Sequence, residues 1–180
     1  MDIAIRGATI IDGTGTQGYV ADVGISGDTI VGIGNVAAAT KELDGKNLVL
    51  SPGFIDPHSH SDFTFHTNPS NDSSVHQGVT TEIVGNCGYS SAPLTDASAV
   101  FIKQRLENYA YEGEVNWRTF GEYLAEIERF KTSTNFAFLI GHNNLRQAAG
   151  ILGEEQVTAD QDRKSTRLNS SHANISYAVF

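Results

Sequence analysis

The sequence predicts an α/β fold in which a β-rich N-terminal portion precedes strands that alternate with helices. Three observations carry this reading. From Ile3 to about Leu50, short runs alternate apolar and polar residues between glycines. After Pro52 the rhythm changes to strand, helix, strand. The two longer helical stretches each show an apolar face together with a start or a stop signal.

Taken in order, IAIRGATIID, VADVGISG, TIVGIGN and NLVLSPG read as strands, with turns at Asp12-Gly13, Gly27-Asp28 and Asp44-Gly45. Together they predict a small antiparallel sheet. GFIDPH predicts a short buried strand, the stretch after Pro69 a helix, and VTTEIVG a second strand. The next helix puts Ile102, Leu106, Tyr109 and Ala110 on one face and stops at Gly113. Its successor opens with the capping box Thr119/Glu122 and turns Phe120, Leu124, Ile127 and Phe130 inward. NFAFLIGH then reads as a third buried strand and NLRQAAG as a helical turn.

Composition narrows the function classes. The chain has 180 residues, with 12 Lys+Arg against 21 Asp+Glu, a net charge of −9. A chain this acidic has no electrostatic footprint for nucleic acid or an anionic membrane surface. No apolar run approaches the ~18 residues of a membrane span, and MDIAIRGATI has an early acid and no leader-like apolar segment. A single cysteine, Cys87, excludes an internal disulfide framework. A cytoplasmic protein is the expectation. The final segment, residues 163–180, stands apart: it has three bases and no acid, whereas residues 1–162 carry −12. It is rich in Ser and Asn, lacks helical periodicity and resembles translated adapter or vector sequence, so it is read as a non-native tail that adds nothing to the core.

Three constellations could carry chemistry. In PGFIDPHSHSD, His58 and His60 are two apart at the end of a predicted strand, where period-2 geometry points both imidazoles to one face. Same-face imidazoles leaving a strand are a natural half of a divalent metal site, and Asp62 is placed to fix a ring tautomer. In GNCGYSSAP, Cys87 lies in a Gly-rich loop directly after the second strand, at the end that also carries the His pair. A thiolate there completes a His, His, Cys donor set; a cysteine nucleophile would need a base, and the nearby imidazoles are committed to metal. In GHNNLR, His142 could be a third imidazole, a substrate hydrogen-bond donor or a helix-entry residue. His66, His76 and His172 have no motif around them and read as solvated side chains.

PGFIDPHSHSD resembles the first-strand signature of the amidohydrolase superfamily, and GNCGYSSAP followed by GHNNLR is similar to the N-acyl-D-amino-acid deacylases (D-aminoacylases). The resemblance spans about residues 1–162. It implies an N-terminal β-sandwich portion over 1–51, and over 52–162 the first three βα units of a metal-dependent, TIM-like (β/α)₈ barrel. It also implies His58 and His60 as strand-one ligands, and Cys87 as the thiolate in the position that other amidohydrolases fill with a carboxylated lysine. The expected cofactor is Zn2+, one or two divalent ions. The expected reaction is hydrolysis of the linear amide C–N bond of a small-molecule N-acyl-D-amino acid, with Arg146 a candidate for binding the substrate carboxylate.

A cyclic-amide amidohydrolase of the dihydropyrimidinase or hydantoinase kind would share the H-x-H pattern but not the cysteine loop. A complete barrel needs eight strands, and three are visible between Pro52 and Asp162. The family's later histidine ligands and its catalytic aspartate find no match, so the chain is expected to be an N-terminal fragment that is inactive by itself.

Overall fold

The computed structural model describes residues 1–151 and 156–172, with backbone only from 168 onward. It divides into two compact units, Met1–Pro52 and Gly53–Phe180.

In the first unit, β1 (Ile3–Ile10), β2 (Tyr19–Ser26), β3 (Thr29–Gly34) and β4 (Lys41–Asp44) form a sheet in the order β3-β2-β1-β4, and β5 (Val49–Leu50) also pairs with β1. β2 is antiparallel to β1 and β3, as the alternation predicts, but β4 and β5 run parallel to β1. The sheet is therefore mixed. Alternation reports which face is buried and is silent on direction; a crossover from β3 to the far edge of β1 returns a strand in β3's own sense. Ala8, Ile10 and Val23 form the small core. Arg6 ties three strands together, pairing with Asp22 (2.9 Å) and Glu42 (2.5 Å) and donating to the carbonyls of Val36 and Ala37.

The second unit holds a parallel sheet of β6 (Phe54–Asp56), β7 (Val79–Val84) and β8 (Asn135–Phe138), in the order β6-β7-β8. Between and after these strands lie a 3-10 turn (Ser61–Phe63), α1 (Asp72–Val75), α2 (Asp96–Glu107), α3 (Phe120–Glu128), α4 (His142–Ala148) and α5 (Ala159–His172). This is the strand-helix alternation of an α/β protein. β6 is not the buried strand expected: it forms one edge of the sheet, and Phe54 and Ile55 are exposed.

Helix α3 begins at the Thr119/Glu122 capping box, and α2 begins at a second one, Thr95/Ser98. α2 ends at Glu107, short of Tyr109, because Ala110 turns left-handed (φ 62°) and breaks the helix three residues before Gly113. The core is aromatic: Phe63, Phe65, Trp117, Phe120 and Tyr123 pack with Ile102, Leu106 and Ile127. His66 belongs to this core and is not solvated; its ring lies among Phe65, Tyr111, Trp117 and Phe130.

α5 runs through the segment expected to be irregular, as far as His172. It is started by Thr158, whose hydroxyl accepts from Gln161 N (3.2 Å), with Asp160 and Asp162 in the first turn. A cap and a complemented dipole can start a helix without an apolar stripe. Leu168, Ile175 and Val179, whose burial would join that segment to the core, lie outside the described side chains.

Candidate metal centre

His58, His60 and Cys87 converge, each offering a ligand atom, all within 4.8 Å of one another. His58 Nε2 and Cys87 Sγ are 3.2 Å apart, and the two imidazoles meet edge to face with centroids 5.6 Å apart. Strand alternation is not the cause of this convergence. β6 ends at Asp56, and both histidines lie in the loop beyond it.

The loop is shaped by hydrogen bonds. His58 N donates to Asp56 Oδ1 (3.0 Å) and Ser59 N to the carbonyl of Ile83 (3.0 Å) at the end of β7. The same Ile83 carbonyl accepts from Asn86 Nδ2 (2.7 Å), which also reaches the Ser59 carbonyl (3.3 Å). One asparagine thus clips the histidine loop to the cysteine loop.

Cys87 presents its sulfur from a tight turn. Tyr89 N donates to the carbonyl of Asn86 (3.1 Å), and Cys87 (φ 57°) and Gly88 (φ 79°) occupy the two central positions with positive φ. Gly85 is required: a Cβ there would lie 2.0 Å from the Leu139 carbonyl oxygen. The GHNN segment closes on the turn from the other side. Asn143 N donates to the Gly88 carbonyl (2.9 Å), Asn144 Oδ1 accepts from Ser90 N (2.9 Å), and Asn144 Nδ2 donates to the carbonyls of Ser90 (2.7 Å) and Pro93 (3.3 Å).

The donor chemistry fits a borderline divalent ion. Two imidazoles and one thiol suit zinc, whose bonds of ~2.0–2.3 Å need only ordinary side-chain relaxation from these separations. Cys87 and His58 are exposed, so an ion has an approach. Nδ1 of His60 is buried with no hydrogen-bond partner. Burial, then His58, then Arg105 lower the pKa of His60, which favours the neutral, ligating form.

Asp62 does not hold a ring tautomer here. It is buried in the 3-10 turn, its Oδ1 has no partner, and burial pushes its pKa up to about 7. His142 is exposed at the start of α4 and outside the donor cluster, and Arg146 follows in the same helix.

Two residues that the motifs did not single out stand close to the cluster. The Arg105 guanidinium lies 4.1 Å from the ring of Phe63 and 5.8 Å from that of Tyr89, and Phe63 in turn stacks on His60. A cavity of about 410 Å³ beside it is lined by Phe101, Gln104, Arg105, Asn108 and Tyr109, and by none of the three donors. Glu82, in β7, is buried under the histidine loop and accepts from Ser59, Ser61, Ser74 and Asn71. An acid in the middle strand of a parallel sheet was the signal available for it.

No protein-family model matches the chain. Over 99% of its length it is 34% identical to D-aminoacylase of Alcaligenes xylosoxydans xylosoxydans, and over 93% it is 34% identical to N-acyl-D-glutamate deacylase of the same organism. It covers 38% and 34% of those proteins, so the chain spans about a third of the curated relatives it matches.

Among solved structures, a D-aminoacylase described as defining a novel subset of amidohydrolases matches 93% of the chain with a TM-score of 0.79 and 34% identity, over 35% of its own length. An N-acyl-D-glutamate deacylase from Bordetella bronchiseptica, complexed with zinc and a phosphonate inhibitor, matches the same shares with a TM-score of 0.76 and 33% identity. A D-hydantoinase at 17% identity and a TM-score of 0.52 shares the fold alone.

Proposed function

Because this chain is homologous to D-aminoacylase and to N-acyl-D-glutamate deacylase across about a third of their length, we propose that it serves the same reaction class. That reaction is metal-dependent hydrolysis of a linear amide C–N bond, taking an N-acyl-D-amino acid and water to a carboxylate and a free D-amino acid. The observation that carries the reading is the convergence of His58, His60 and Cys87. His58 and His60 would hold a zinc ion as neutral imidazoles and Cys87 as a thiolate, with room in the family for one or two ions. When bound, the ion polarises the acyl carbonyl and lowers the pKa of bound water toward ~7.

The chain's own residues have distinct tasks in this scheme. Asp56 and Asn86 fix the two loops, so the donors meet with side-chain adjustment alone and no rebuilding of the backbone. The three clustered side chains are all donors, so the base that takes the water proton and returns it to the leaving amine is a further group. His142 and Arg146, on the helix that closes on the cysteine turn, are proposed substrate contacts, and Arg105 beside Phe63 is a third. A thiol serving as ligand favours the reducing cytoplasm; among the described residues no helix is long and apolar enough to cross a membrane. A cyclic amide is the weaker reading, since the hydantoinase likeness extends to fold only.

Cobalt titration of the reduced chain tests the site. Thiolate-to-cobalt absorption that disappears in Cys87→Ser is expected; its absence from the unsubstituted chain would sink the metal assignment. Release of amine from N-acetyl-D-methionine by the same protein with zinc is expected to be nil. Turnover that a chelator abolishes and zinc restores would place the base within these residues.

A further inference from the structure

Resting on the metal site just proposed, we infer that Glu82 is the positioning residue of that site: its buried carboxyl group anchors the two serines that alternate with the histidine donors. The tetrapeptide His58-Ser59-His60-Ser61 divides its side chains between two environments. The imidazoles meet Cys87, whereas the hydroxyls of Ser59 and Ser61 both lie 3.2 Å from Glu82 Oε1. Holding every second residue fixes the backbone from which both imidazoles project.

The anchor is itself rigid. Glu82 is 1% exposed in the middle strand of the three-stranded sheet. Ser74, in α1, donates to Oε1 (2.8 Å), and Asn71, just ahead of that helix, donates to Oε2 (2.5 Å). Asn71 is buried and left-handed (φ 47°), and also reaches Thr134 Oγ1 (3.1 Å), the residue before β8. Three hydroxyls gather at Oε1, where Ser59 and Ser61 also lie 2.9 Å from each other, and one amide meets Oε2, together more than a single amide oxygen accepts.

Among the described residues no Lys, Arg or His forms an ion pair with Glu82. A carboxylate taken out of water with neutral partners alone is costly, and a dication bound at the adjacent histidines would offset part of that cost. Groups hydrogen-bonded directly to metal ligands typically change metal affinity by about 10–100-fold when removed, and Glu82 acts one residue further out, through Ser59 and Ser61.

The experiment measures Kd for Co2+ by competition with a chromophoric chelator, together with the cobalt absorption spectrum and the melting temperature. It uses the unsubstituted chain, Glu82→Gln, Ser59→Ala, Ser61→Ala and, as a control in α1 away from the carboxylate, the exposed Ser73→Ala. Glu82→Gln is expected to raise Kd at least about tenfold with an altered spectrum, and the Ser59 and Ser61 variants severalfold. Ser73→Ala is expected to stay within about twofold of the unsubstituted chain.

If Glu82→Gln fails to fold, the two serine variants decide alone. Lower melting temperatures with Kd and spectrum unchanged would make Glu82 a purely structural residue and overturn the proposal. Failure of the unsubstituted chain to bind cobalt would refute the metal site itself, and this inference with it.

Discussion

His66→Phe should flatten the acid limb of the stability curve. The His66 ring is 9% exposed, its centroid is 3.9 Å from that of Phe65, 4.2 Å from Tyr111 and 4.9 Å from Phe130, and it stacks on Trp117 at 5.6 Å and 12°. Neither ring nitrogen has a hydrogen-bond partner. Burial alone lowers its pKa from 6.5 to about 4.

The sign follows from which state binds the proton. Above pH 6.5 the ring is neutral in both states and the fold keeps its full stability. Between 6.5 and about 4 the unfolded chain takes up a proton that the folded chain refuses, so stability falls as pH falls; below about 4 both bind it and the loss levels off. A separation of about 2.5 at 1.36 kcal/mol each gives an acid-limb loss of about 3 kcal/mol. Phenylalanine fills the same aromatic box without titrating. At pH 8 it also removes two unsatisfied nitrogens, so it should be neutral or stabilising by about 1–2 kcal/mol. Urea unfolding followed by Trp117, the single tryptophan, reports the transition from within the cluster. Carboxylates contribute to both proteins, so the difference between the two pH profiles isolates His66. Parallel profiles between pH 6.5 and 4 would refute the argument, as would a loss of more than ~2 kcal/mol in His66→Phe at pH 8.

Gly85→Ala places a methyl group 2.0 Å from the Leu139 carbonyl oxygen at a φ of 83°. It should cost about 2–4 kcal/mol, seen as a fall of roughly 5–15 °C in melting temperature. Asn144→Leu removes all three bonds to Ser90 and Pro93. It should lose about 2–4 kcal/mol and speed hydrogen exchange at the Ser90 amide; unchanged protection there would count against the clamp. Cys87→Gly relieves a left-handed residue worth about 1–2 kcal/mol while adding about 0.5–1 kcal/mol of chain entropy, so metal-free stability should hold or rise slightly by chemical denaturation. The same change should abolish thiolate-to-cobalt absorption.

The donors were legible from residue type because H-x-H and a glycine-flanked cysteine are local patterns. The geometry that unites them was not: β6 stops two residues before His58, and the turning is done by Asp56, Ile83 and Asn86 through backbone contacts that no periodicity encodes. The order of apolar and polar residues in the first unit reported strands correctly but could not report the crossover that makes β4 and β5 parallel to β1. His66 was misread because an isolated histidine carries no sign of its neighbours; Tyr111, Trp117 and Phe130 reach it from 45 or more residues away. Glu82 was visible only as an acid inside a strand, and Asn144 only as one polar residue among several in GHNNLR.

The alternation of donors and tethers in His58-Ser59-His60-Ser61 makes the loop's length a fixed quantity. Losing or gaining one residue between Asp56 and Ser61 would draw both imidazoles away from Cys87 and both hydroxyls away from Glu82 together. A substitution touches one donor or one tether, but an insertion or deletion fails at all four positions together. Among descendants of this sequence, the stretch should keep its count of residues.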